Sequence, residues 1–227
     1  MKLVFGFVCA LFYSFMSFGQ ITQWTDINYA NDSLEGHKLD IYLPDGGQTE
    51  YKVVVLIYGS AWFANNMKQM AFQAMGKPLL DGGFAVVSIN HRSSGDAKFP
   101  AQINDVKAAV CFIRAHADEY RLDTSFIGIT GFSSGGHLSS LAGTTNGVKV
   151  YKVGDTEMDI EGNVGDCTSF SSRVDAVVDW FGPIDMTRME NCATTKGADS
   201  PEAALIGGTP AEHMDVLTLL NPMTYID

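Results

Sequence analysis

Apolar and polar positions along this chain follow two different periods. The runs Val53 to Ile57, Phe84 to Ile89, Phe126 to Thr130 and Val174 to Val178 are short and rich in β-branched residues, which suits strands covered on both faces. Lys38-Leu39-Asp40-Ile41-Tyr42-Leu43 alternates polar and apolar residues as an exposed edge strand does, and Pro44-Asp45-Gly46-Gly47 ends it with turn chemistry. Between these runs the period lengthens. Ile103, Val106, Val110, Ile113 and Ala117 fall at steps of three and four, forming one stripe of a helix entered through Pro100. Met67, Met70, Ala71, Ala74 and Met75 repeat the pattern less regularly before Gly82-Gly83 breaks it; a methionine stripe of this kind predicts core packing. Strands alternating with helices predict an α/β fold: a mostly parallel sheet flanked by helices, with functional residues just after the apolar runs, at the carboxyl ends of the strands. From Thr144 to Ser172 the sequence turns polar, Gly-rich and acidic without periodicity, and a surface insertion beside that edge is expected there.

The first residues break the pattern. Met1-Lys2 followed by the apolar run Leu3 to Phe15 reads as a signal peptide over residues 1–19, with Ser17 and Gly19 as the small residues of a cleavage site before Gln20. The run is too short to span a bilayer comfortably. The expected location is therefore secreted or periplasmic, with one domain over residues 20–227 and no membrane attachment after cleavage. A composition of 46% hydrophobic and 18% charged residues supports a single buried core. The net charge of −11 disfavours nucleic acid and anionic lipid as partners, since both are bound by neutralising phosphate with Lys and Arg. Cleavage would leave Cys111, Cys167 and Cys192. Cys111 lies among Val110, Phe112 and Ile113 and is expected as a buried free thiol, while Cys167 and Cys192 flank a predicted strand and form the possible disulfide. No Cys/His cluster has zinc-site spacing, and no metal or organic cofactor is implied.

Chemistry concentrates after Thr130. The strand Phe126 to Thr130 runs into Gly131-Phe132-Ser133-Ser134-Gly135-Gly136, and a helical stretch follows from near His137. A G-x-S-x-G turn between strand and helix holds a serine hydroxyl above the sheet, and glycines are needed because the bend is strained and crowded. Ser133 is accordingly the candidate nucleophile; an ordinary Gly-rich packing turn is the alternative. A second strand ends in Ile57-Tyr58-Gly59-Ser60-Ala61-Trp62. Small residues there let backbone N–H groups approach a developing oxyanion, which nominates the N–H groups of Ser60, Ala61 and Ser134.

With these segments the chain resembles the α/β-hydrolase superfamily, in its secreted carboxylesterase branch, which includes hormone-sensitive-lipase-like and acetyl- and feruloyl-esterase-like enzymes. Further matching segments are Lys38 to Pro44, Asn90-His91-Arg92, Phe99 to Ala109 and Asp179 to Asp185. The family commonly carries His-Gly-Gly where this chain has Tyr58-Gly59-Ser60, and often Ala in place of Ser134. The resemblance implies hydrolysis of small acyl or aryl esters, including acetyl or feruloyl esters of plant polysaccharide.

A serine hydroxyl needs a histidine to accept its proton and a carboxylate to orient that histidine, in the chain order nucleophile, acid, histidine. After Ser133 only His137 and His213 remain. His137 is too local to approach the hydroxyl, and His213 sits in a solvated helix start. His91 occupies a position that reads as structural in the resembling family, and His37 and His116 have no catalytic context. Asp185 follows the last predicted strand and is the candidate acid, although the resembling branch places its acid after the next strand. In that family the segment Leu220 to Asp227 leads into this strand. The expectation is an α/β-hydrolase domain lacking its last strands, with Ser133 present but no catalytic histidine, and so an inactive portion of an active parent. An amidase or peptidase of the same fold, and a non-catalytic binding protein on this scaffold, are the rival readings.

Overall fold

A computed structural model describes residues 21–189 and 194–226. The expected signal peptide and Cys192, and with it the Cys167–Cys192 disulfide, lie outside the described residues. Six strands form one sheet: β1 (Thr22–Asn28), β2 (Lys38–Leu43), β3 (Tyr51–Ile57), β4 (Ala85–Ile89), β5 (Leu122–Phe132) and β8 (Ala176–Trp180), in the order β1-β2-β4-β3-β5-β8. The last four run parallel, whereas β1 and β2 are antiparallel additions at one side. This is the mostly parallel α/β sheet expected. The four apolar runs are strands, although the last begins two residues later than its pattern suggested.

The strand β2 is not an edge. β1 covers it, and five of its six residues are buried. Its polar positions mislead because they are paired inside. Asp40, fully buried, lies 2.9 Å from Lys68 Nζ and accepts the N–H of Asp26 at 2.8 Å, so a buried acid and a buried base satisfy each other.

Side chains of β3 split the core in two. Val53, Val55 and Ile57 face a large cluster with Ile103, Val106 and Val110 of helix α3 (Ala101–Ala115) and Leu138 and Leu141 of helix α5 (Ser134–Thr144). Leu56 and Tyr58 face a smaller cluster under α1 (Lys68–Ala71) and α2 (Lys77–Asp81). The methionine stripe packs there, as expected, with Met67, Met70 and Met75 against the cluster. Its irregularity has a cause: Phe72–Gly76 between the two helices forms a π-type turn, whose wider bond spacing throws the stripe out of the 3.6-residue register.

Residues 144–172 form a packed insertion. It carries the hairpin β6 (Val150–Val153) and β7 (Thr156–Asp159), and it is stitched to α3 by Lys107 Nζ to Glu161 (2.8 Å) and Asn104 to the Asp159 and Ile160 carbonyls (3.1 Å each). It begins at the far end of α5, roughly 16 Å along the axis from Ser133. Among the described residues none of its hydrogen bonds reaches Ser133 or the Ser60 turn. Cys111 is buried, as expected, and donates to the Phe170 carbonyl at 3.2 Å.

At the other side of the sheet, β8 pairs only with β5 among the described residues. Val177, Val178 and Trp180 stay exposed, and an open apolar groove of about 740 Å³ runs over this face between Phe132, Val178 and Trp180 and the α1–α2 region.

Candidate active site

The connection from β3 crosses to β4 on one side, and the connection from β5 leads to β8 on the other. The crevice between β3 and β5 is thus the topological switch point, where ligands enter open α/β sheets. The register pairs Ile57 with Gly131, so the residues that follow, Tyr58 to Trp62 and Phe132 to Ser134, meet above that crevice. Gly59 shows how closely they meet: a β-carbon there would stand 2.5 Å from the Phe132 carbonyl oxygen and 2.8 Å from Ser133 Cβ.

Ser133 is the turn residue itself, at φ 55° and ψ −126°, and α5 starts at the very next residue. A non-glycine residue in this region costs about 1–3 kcal/mol and persists only where its surroundings impose it. The Ser133 N–H donates to the Trp180 carbonyl at 3.0 Å, and its carbonyl accepts the His137 N–H at 3.0 Å. Its hydroxyl thus stands at the N-terminus of α5, whose free N–H groups favour negative charge.

The turn after β3 is strained as well. Ser60 O accepts Phe63 N–H at 3.0 Å, and the two residues between, Ala61 and Trp62, have φ of 50° and 61°. Trp62 is buried and sets its ring edge-on to His137 with centroids 5.2 Å apart; its carbonyl accepts the Ser94 N–H at 2.8 Å. Of the three nominated oxyanion donors, the N–H groups of Ala61 and Ser134 have no partner among the described residues. The Ser60 N–H differs from the expectation: it donates to Ser134 Oγ at 2.8 Å and is not free. Nothing in the local sequence signals a bond between residues 74 positions apart.

The histidines are engaged elsewhere. His137 is fully buried and donates Nε2–H to the Leu220 carbonyl at 2.9 Å; burial depresses its pKa to about 4, so it stays neutral. His91 stacks on Tyr58 at 4.9 Å and donates Nδ1–H to the Arg92 carbonyl, and burial lowers its pKa too. His37 bridges Asp32 and Asp105, and His116 pairs with Glu119. His213 packs against Gly208. Among the described residues no histidine side chain hydrogen-bonds Ser133.

Asp185 does not serve as a partner for a histidine either. Its carboxylate caps the short turn Met186–Arg188, accepting Thr187 N–H (3.2 Å) and Thr187 Oγ1–H (2.6 Å), with Arg188 Nε at 3.2 Å. The acid that touches the elbow helix is Asp179, which the sequence reading passed over. It accepts Ser140 Oγ–H at 2.7 Å and Gly182 N–H at 2.6 Å, tying the end of β8 to α5.

Behind the site, Asp105 is fully buried and gathers Arg92 Nε (3.0 Å), Arg92 N (2.8 Å) and His37 Nε2 (3.1 Å). This fixes the loop Asn90 to Ser94, which in turn holds Trp62.

Residues 39–227 match the BD-FAE family model. The probable carboxylic ester hydrolase LipM of Mycobacterium tuberculosis is 33% identical over 203 residues, covering 88% of this chain and 44% of LipM. Two solved structures superimpose with a TM-score of 0.88: a bifunctional GH43-CE protein of Bacteroides eggerthii, 79% identical over 90% of this chain and 29% of that one, and a truncated form of a carbohydrate esterase from gut microbiota, 58% identical over 91% of this chain and 73% of that one. The chain spans less than half the length of the curated relatives it matches.

Proposed function

The chain belongs to the BD-FAE family, and on that premise we propose that it carries the nucleophile and oxyanion site of a serine carboxylic ester hydrolase. The observation that carries the proposal is the backbone of Ser133, held in a strained conformation at the switch point beside a second strained turn. In the proposed reaction Ser133 Oγ attacks an ester carbonyl carbon, and the oxyanion is received by the Ala61 and Ser134 N–H groups. The alcohol leaves with a proton, and water then releases the acyl group from Ser133. None of the described histidines is assigned as the proton acceptor, since no histidine side chain hydrogen-bonds Ser133.

Acetyl or feruloyl esters of plant polysaccharide are the proposed substrates; relatives at 79% and 58% identity named for carbohydrate-esterase units support this. A secreted or periplasmic location would bring the protein to such polymers. Release of acetate or hydroxycinnamate from polysaccharide by the whole protein, lost in Ser133→Ala, tests the proposal. Cleavage of amides with no ester hydrolysis would overturn it.

A further inference from the structure

Resting on that ester-hydrolase reading, we propose that the Ser134 hydroxyl is a positioning group: it latches the strained turn Ser60–Phe63 to the elbow and thereby sets a two-donor oxyanion hole made of Ala61 N–H and Ser134 N–H. Two consecutive non-glycine residues at positive φ, Ala61 and Trp62, do not hold this conformation unaided. Besides the hydrogen bonds within the turn, three contacts with other segments impose it. The Trp62 ring is buried against His137, the Trp62 carbonyl accepts Ser94 N–H, and the Ser60 N–H donates to Ser134 Oγ at 2.8 Å. The first two act beyond Ala61. The third acts on the residue before it: Ser60 is also bonded within its own turn, through its carbonyl to Phe63 N–H (3.0 Å) and its Oγ to Ala64 N–H (3.3 Å), but its N–H bond to Ser134 Oγ is the one that ties the approach to the Ala61 amide to the elbow.

Ser134 is 1% exposed, so water does not compete for its oxygen. It also supplies the first amide of α5. One residue thus provides a donor of the hole through its backbone and anchors the other donor through its side chain, which makes nucleophile, turn and hole one rigid body. In Ser134→Ala the α5 amide remains, but the Ser60 N–H loses its acceptor in a partly buried place. The turn then relaxes, and the loss falls on the transition state, because hydrogen bonds to the carbonyl oxygen strengthen as it becomes an oxyanion.

The test compares the wild type, Ser134→Ala and Ser134→Thr in the whole protein. It measures kcat and KM on 4-nitrophenyl acetate, fluorophosphonate labelling and backbone amide exchange over residues 58–64. The expected result is a kcat at least about fivefold lower in Ser134→Ala with KM little changed, consistent with the cost of misplacing a catalytic group. Exchange quickens in that segment alone, and Ser134→Thr, which keeps the oxygen, recovers both readouts. A smaller fall in kcat, or a rise because the freed Ser60 N–H joins the hole as a third donor, overturns the proposal, as does a Ser134→Thr variant no better than Ser134→Ala. Failure of the ester-hydrolase reading looks different: the wild type itself is neither labelled nor active.

Discussion

The Ser133 amide donates to the Trp180 carbonyl at 3.0 Å, so the elbow is tied to β8 on one side while the β3 turn crowds it on the other. The strain at Ser133 is therefore a property of three strands packed together rather than of the turn alone. Breaking any one contact should loosen the hydroxyl.

Gly135 offers the sharpest such break. A β-carbon there would overlap the carbonyl oxygens of Ile57 and Tyr58, both backbone atoms that cannot swing aside. Gly135→Ala should push β3 from the elbow, lower kcat/KM by about 100-fold and cost about 1–3 kcal/mol of stability. Steady-state kinetics and denaturant unfolding of the whole protein check both; an unchanged rate would mean that the two loops do not need their close approach.

Asp105→Asn should be costlier for stability than for chemistry. The substitution leaves Arg92 and His37 facing a neutral amide inside the core, and removing one partner of a buried pair costs about 3–5 kcal/mol. A drop below about 1 kcal/mol in urea unfolding would show that the Arg92 loop is held by other contacts.

Two histidines predict opposite pH limbs. Burial opposes the charge on His37, but Asp105 and Asp32 outweigh it and hold the folded pKa above the ordinary 6.5. Its contribution is complete below that value and is lost as pH rises through the raised folded pKa. His137 behaves the other way, because its folded pKa of about 4 lies below 6.5 and the unfolded chain binds the extra proton. Stability should fall by about 3 kcal/mol between pH 6.5 and 4 from this group. Unfolding free energies across pH should show the acid limb flattened in His137→Gln and the alkaline limb flattened in His37→Gln; limbs unchanged by either variant would contradict the assignment.

The exposed apolar face of β8 predicts self-association of residues 20–227. Val178 is 51% exposed on β8, which pairs on one side only among the described residues and so offers a template for pairing. Val178→Lys should shift the chain toward monomer in light scattering, whereas equal association in both proteins would place the contact elsewhere.

Much of this was legible in the sequence, because the parallel strands are apolar on both faces and the α3 stripe keeps a strict helical period. What failed did so for identifiable reasons. In Thr22–Asn28 the alternation is broken by a bulge between Trp24 and Ile27, so β1 left no clear signal, and without it β2 looked like an edge. The hairpin in the insertion did carry a cue, Gly154-Asp155 between two alternating stretches, that went unread among acidic residues. At the site, Ser133 and Ala61 could be nominated from local pattern, but the capture of the Ser60 N–H by Ser134 could not, since tertiary packing creates it.

The most direct test of the account is fluorophosphonate labelling of the whole protein, with the modified residue located by peptide mass analysis and ester hydrolysis compared in Ser133→Ala. One adduct is expected on Ser133, with a fall in kcat of about 10³-fold or more in the variant. An adduct on another residue, or Ser133→Ala hydrolysing esters at the wild-type rate, would contradict it.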